Sequence, residues 1–157
     1  MNPFDLRSDP DRHEIWQRLV AADCEAFASS NWSMIEGDFD AESFEGVRCF
    51  HSANPDDWQI VFPTLASYRD SWLAAAKEFL GRKFSAVSHL DALLARTHLD
   101  KIDIHGDRAL AHKKFYGEVL YDDGSVLNDR RQTLFRLRRR ADGWKISGFF
   151  GQLPLVD

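Results

Sequence analysis

Between residues 94 and 154 four long runs rich in Ile, Leu, Val, Phe and Thr are separated by three short breaks. Gly106, Gly124 and Gly143 each stand beside an Asp in those breaks. That composition lets the backbone enter positive φ between paired strands. Three tight connections in succession predict an antiparallel meander.

Ahead of the meander the apolar period lengthens. Ile15, Trp16, Leu19, Val20, Ala22, Ala26 and Phe27 fall on one broad helical face. Asp9 is placed to cap that helix, with Pro10 at its first position and Asp11 where the dipole favours an acid. Asp23 lies between Val20 and Phe27, near the edge of the face, and the helix fades at Ser29, Ser30 and Asn31. A second helix starts from a Thr64 cap, carries Leu65, Tyr68, Trp72, Ala75, Ala76, Phe79 and Leu80 as its stripe, and stops at Gly81. Residues 31–63 are irregular, with at most a short helix near 40–45. Periodicity does not decide whether residues 82–93 end a helix or start a strand. Helices first and strands after is the α+β pattern. The expectation is one domain over residues 1–157, with N-terminal helices packed on a strongly curved antiparallel sheet. Such a sheet closed by helices leaves a conical cavity.

Turn positions predict which side chains share a face. A first turn at 105–107 sets His98 opposite Lys114 and Asp100 opposite His112. A second turn at 122–125 sets Tyr116 opposite Arg131 and His112 opposite Phe135. One face then carries Arg96, His98, His112, Tyr116, Arg131 and Thr133 among apolar residues, the make-up of a small-molecule pocket. The other face, with Leu99, Ala109, Ala111, Phe115, Trp144 and Ile146, is more uniformly apolar. Both faces read as partly buried, which predicts a homodimer through the sheet. A single bulge would exchange part of these lists.

Composition removes several classes. Hydrophobic content of 44% and charged content of 29% are those of a globular domain, and the net charge of −5 argues against a general nucleic-acid binder. The cluster Arg136, Arg138, Arg139 and Arg140 is an exception, without interleaved aromatics to make a stacking platform. No apolar run is long enough for a bilayer, and the polar N-terminus does not read as a secretory signal. A cytoplasmic location is therefore expected. Cys24 and Cys49 match no metal or redox spacing. No phosphate loop or nucleophile elbow occurs, and His98 and His112 have no carboxylate at matching spacing to complete a metal site, so neither a metal nor a cofactor is expected.

The candidate chemistry is acid–base. His98 and His112, on neighbouring strands, can exchange protons near neutrality or simply satisfy structural hydrogen bonds. Asp23, if buried beside Val20 and Phe27, suits a general base; a helix-edge Asp paired with an Arg is the plainer reading. Tyr116 with Arg131 can hold an anionic oxygen, or pack as ring against side-chain stem. Thr133 and Phe135 follow Arg131 on the same strand, and Trp32, Tyr68 and Trp72 line the pocket mouth or belong to the core.

The segment around THLDKIDIHGDRALAHKKFYG, then DDGS, then LFRLRRRADGWKI resembles the SnoaL-like branch of the nuclear transport factor 2-like superfamily. His98, Gly106-Asp107-Arg108-Ala109 and Arg140 through Ile146 stand where that branch places an early strand His, a Gly-Asp-x-Ala hairpin and a closing Arg-x-Asp-Gly-x-Trp-x-Ile segment. Thr133 and Phe135 depart from the Tyr and Asp common there. The resemblance implies a cone-shaped fold with an internal pocket for a small apolar or aromatic molecule. Its members include isomerases, dehydratases and cyclases, so proton-transfer chemistry with His98, Asp23 and His112 as catalytic candidates is one expectation. The other is a non-catalytic binding or assembly module like the small subunits of ring-hydroxylating dioxygenases. Fold alone does not choose between them.

Overall fold

The computed structural model describes residues 1–156. Helix α1 (Pro10–Trp16) opens on Asp9, whose carboxylate accepts the Arg12 N–H. It runs through a π-helical stretch, Gln17–Ala22, directly into α2 (Asp23–Ala28). The π stretch adds residues to the turn and so rotates everything after it about the helix axis. Asp23 follows immediately, as the first residue of α2. Two short 3₁₀ turns, Trp32–Met34 and Glu36–Asp38, lead to strand β1 (Glu45–Arg48) and then β2 (Gln59–Phe62). Helix α3 (Leu65–Leu80) has the capping box: Thr64 accepts from the Ser67 N–H while Ser67 accepts from the Thr64 N–H. Helix α4 (His89–Arg96) starts at Ser88, whose side chain accepts the Asp91 N–H.

The remaining strands are β3 (Thr97–His98), β4 (Ile102–His105), β5 (Arg108–Phe115), β6 (Val119–Leu120), β7 (Val126–Leu127), β8 (Arg131–Arg140) and β9 (Gly143–Pro154). The main sheet runs β2-β1-β9-β8-β5-β3, with β4 also on β5, and β6 and β7 form a separate hairpin. All pairs are antiparallel except β1 beside β9, so the sheet is mixed. The fold is α+β, helices on a curved sheet. No helix among the described residues is long and apolar enough to cross a membrane.

Three differences from the sequence expectation matter for the site. The irregular region 31–63 supplies two strands rather than a short helix, because β1 is added at the sheet by a parallel pairing no local pattern reveals. Leu94 begins no strand; it lies inside α4, which carries the Ser88 cap at its start. Above all, the face assignment slips. The Tyr121 N–H donates to the Ser125 carbonyl oxygen at 2.9 Å and Gly124 adopts φ of 86°, so the second hairpin closes on a three-residue tip. A tip one residue shorter than the expected 122–125 loop brings Phe115, not Tyr116, opposite Arg131, and Leu134 opposite His112. Every side chain of β5 therefore changes face relative to β8. His98 does pair with Lys114, but β4 pairs one residue out of step, with a two-residue turn at Gly106-Asp107.

The inner face of the sheet packs Ala109, Ala111, Phe135, Leu137, Ile146 and Phe149 against Ile15, Leu19, Val20 and Cys24 of the first helices. Trp72 and Ala76 of α3 join Ala26, Trp32 and Ile35 in an adjoining cluster. Burial of these groups holds the helices over the concave side.

Candidate functional site

Where the two clusters meet, the helices do not close on the sheet. A cavity of about 230 Å³ remains, and its polar groups come from several elements. Asp23 enters from α2, Tyr68 and Trp72 from α3, Lys113 from β5, and Arg131 and Thr133 from β8. Phe135 and Phe149 form its floor.

The Lys113 Nζ donates to Asp23 Oδ2 at 2.8 Å, and the Trp72 Nε1–H donates to Asp23 Oδ1 at 3.3 Å. Lys113 is only 2% exposed, whereas Asp23 keeps 29% of its side-chain surface open. A buried lysine needs a partner of this kind, because an isolated ammonium in an apolar setting is costly. Both carboxylate oxygens are thus oriented, while the open part faces the cavity.

Tyr68 sits in an aromatic cage with Phe149 at 5.0 Å, Phe44 at 5.4 Å and Phe62 at 5.5 Å between ring centroids. Burial pushes its hydroxyl well above the ordinary phenol range; the Asp23 charge adds to the rise, and Arg131 and Arg48 oppose it. The hydroxyl stays protonated at any physiological pH and has no protein acceptor among the described residues. Arg131 lies 3.9 Å over the Phe115 ring and donates to Asp129. Burial also lowers its basicity, though a guanidinium remains charged. Cys24 lies in the same wall, 2% exposed, its S–H directed at Thr97 Oγ1. Burial raises that thiol, which keeps it unreactive.

Of the residues singled out in the sequence, Asp23, Tyr68, Trp72, Arg131, Thr133 and Phe135 come together here. Trp32 lies one layer behind, packed on Trp72 at 5.3 Å and on Tyr68 at 6.0 Å. His98, His112 and Tyr116 stay outside the cavity lining. His98 stacks on the Tyr116 ring at 3.8 Å, and His112 Nε2 is 3.4 Å from Asp103. The one-residue slip of β5 against β8 is the reason: the odd-numbered residues of β5, not the even, share the face of Arg131 and Thr133.

Lys113, Arg48 and Thr97 also line the cavity, and the sequence expectation omits all three. For Lys113 a signal exists, since it is the lone charge in the apolar alternation Ala109, Ala111, Lys113, Phe115. Arg48 and Thr97 arrive through β1 and the short β3, which carry no comparable mark. No group of three His, Cys, Asp or Glu side chains that could hold a metal occurs among the described residues.

A larger groove, about 430 Å³, lies on the outer face of the sheet beside Arg108, Leu110, Arg136 and Arg138. It is a surface feature, and none of its cations is ion-paired to a carboxylate within it. The chemistry converges in the smaller cavity.

No family model and no curated protein matches this chain. Solved structures do. One is a candidate dehydratase of the nuclear transport factor 2-like family from Streptomyces avermitilis, at 15% identity and a TM-score of 0.59, covering 94% of this chain and 98% of that one. Another is a candidate aromatic ring hydroxylase from Novosphingobium aromaticivorans, at 16% identity and 0.56, covering 94% and 91%. A third is a nuclear transport factor 2-like superfamily protein from Salmonella enterica serovar Typhimurium, at 12% identity and 0.55, covering 92% of each. Identities this low bear on architecture, and the architecture agrees along nearly the full length: the chain has the nuclear transport factor 2-like fold.

Proposed function

We propose that this protein binds a one- or two-ring apolar or aromatic compound in the cavity and transfers a proton on it. The observation that carries the reading is the Asp23 carboxylate, held by Lys113 and Trp72 and still open to the cavity. A volume of about 230 Å³ is below the range usual for drug-sized ligands, which restricts the ligand to a small body. Asp23 is the general base. It takes a proton from a carbon beside a carbonyl; the C–H electrons form the enolate double bond, and the carbonyl electrons move to oxygen. The protonated Tyr68 hydroxyl donates a hydrogen bond to that oxygen. Lys113 is a positioning residue that fixes the Asp23 carboxylate. Where the substrate carries a further double bond conjugated with that enolate, return of the proton from Asp23 to the far carbon of the conjugated system, with the carbonyl re-formed and the double bond shifted, completes an isomerisation. Loss of a β-hydroxyl from the enolate, with the proton returned to the departing oxygen, releases water and completes a dehydration. His98 and His112 take no part. Kinship with the SnoaL-like branch belongs to the same reading, as does a cytoplasmic location.

The test is deuterium uptake from D2O into small cyclic and aryl ketones, 2-tetralone among them, followed by mass spectrometry. Wild-type protein accelerates uptake, and Asp23→Asn lowers it roughly 100-fold or more. Uptake no faster than in buffer would remove catalysis and leave a binding module.

A homodimer through the outer face of the sheet is part of the same proposal. Leu110 is 37% exposed there, and Arg108 stands directly opposite Arg138. Like charges across a strand pair repel, and a second copy supplying acids would relieve them.

A further inference from the structure

The charges around the cavity do not balance. Arg48, Lys113 and Arg131 line it as cations, and Asp23 is the one carboxylate among the lining residues. Behind the wall Asp129 receives both Arg131 and Arg96, Arg131 at 3.0 Å and Arg96 at 2.9 Å. One carboxylate thus serves two guanidiniums, and Arg96 is only 6% exposed. Asp23 is taken up by Lys113. Arg48 has no carboxylate partner among the described residues; its guanidinium lies 5.3 Å over the Phe62 ring. Four cations therefore face two carboxylates, in a protein whose net charge is −5. A surplus of this sign, gathered against the overall charge and inside a partly desolvated space, is worth much more to an anion than the same charges would be in water.

The donors also converge. Arg48 and Arg131 line the same space. A guanidinium fork meets both oxygens of a carboxylate in two-point recognition. The aromatic floor of Phe62, Phe135 and Phe149 supplies the apolar part of the site.

We infer that the ligand of this cavity is an organic acid, a carboxylate carried on a small aromatic or alicyclic body, with Arg48 as its anchor. This rests on the reading that the cavity binds a small molecule, and names the class.

The experiment compares benzoic and 2-naphthoic acids with their primary amides by titration calorimetry on the full chain. The amides keep the body and remove the charge. Wild-type protein should bind the better acid roughly tenfold more tightly than its amide. Arg48→Gln should bring that ratio close to one by weakening the acid alone, and Arg48→Lys, which keeps the charge, should retain part of it. An amide that binds as well as its acid overturns the organic-acid inference and leaves the cavity as a small-molecule site. A preference for acid that Arg48→Gln does not touch overturns the role of Arg48. Binding of none of the four overturns the small-molecule reading itself, and the inference with it.

Discussion

Lys113 and Asp23 are 90 residues apart in the chain, and their side chains meet at 2.8 Å under helix α2. The pair joins the first helical unit to the middle of the sheet at the point where the cavity opens. Its position ties the stability of the fold to the geometry of the site.

Replacing Lys113 by Met should destabilise the protein by about 3 kcal/mol in urea unfolding, since it leaves Asp23 without its cation in a largely desolvated wall. The double variant Asp23→Leu with Lys113→Met should recover a good part of that loss. A single-variant cost near zero would mean that the pair is solvated and does not hold the site.

Acid sensitivity is expected from Asp11. The Trp144 indole, which donates to its carboxylate, and the nearby Arg139 hold Asp11 below the usual carboxylate range. A carboxylate depressed in the folded state contributes stability that is complete above its unfolded value of 3.8 and is lost as pH falls through the folded value. Asp11→Asn should therefore be less stable than wild type at pH 6, with the difference shrinking below about pH 4. A constant difference across that range would show that the carboxylate charge is not involved.

Gly148 permits the close approach of β1 to β9. An added Cβ there would stand 2.3 Å from the Glu45 carbonyl oxygen, whereas one at Gly37 would meet nothing within 4 Å. Gly148→Ala should cost about 2 kcal/mol by forcing the parallel pair apart, and Gly37→Ala should leave the melting temperature nearly unchanged. Because β1 carries Arg48, the Gly148 variant should also weaken acid binding.

Both thiols are buried, Cys24 at 2% and Cys49 at 0% exposure. Burial raises both of them. Neither should react with a thiol reagent in the native protein within minutes at pH 8, and both should titrate after denaturation. Rapid reaction of one thiol in the native state would mean that the cavity wall opens readily.

Much of the fold is legible in the sequence because its marks are local. Asp9 and Thr64 act as caps as their chemistry requires, and Gly106, Gly124 and Gly143 all adopt positive φ at hairpin tips. The site is less legible, since it depends on counts of single residues. One residue fewer in the Tyr121–Ser125 tip sends Lys113 inward and His112 outward. Asp23 is legible, since its place between Val20 and Phe27 marks it for the cone and it lines the cavity; the π stretch at Gln17–Ala22 just before it is not, because hydrophobic period alone does not announce one. Arg48 depends on a parallel pairing between segments about 100 residues apart. Where alternation on one strand is the guide, as for Arg131, Thr133 and Phe135, side chains expected to share a face do share one. Where register across the β5–β8 hairpin is the guide, it misleads: His112 and Tyr116, with His98 beside them, share a face with one another but not with Arg131 and Thr133.

The most direct measurement uses the five indole N–H resonances in a nitrogen-15 correlation spectrum. Trp72 donates to Asp23 in the cavity, while Trp144 donates to Asp11 and Trp58 to the Ser52 carbonyl oxygen, both away from it. Titration with 2-naphthoic acid should shift the Trp72 resonance most, with a smaller change at Trp32 and none at Trp58 or Trp144. A ligand that shifts Trp58 or Trp144 and leaves Trp72 in place would contradict the account, because binding would then occur outside the Asp23–Lys113 cavity.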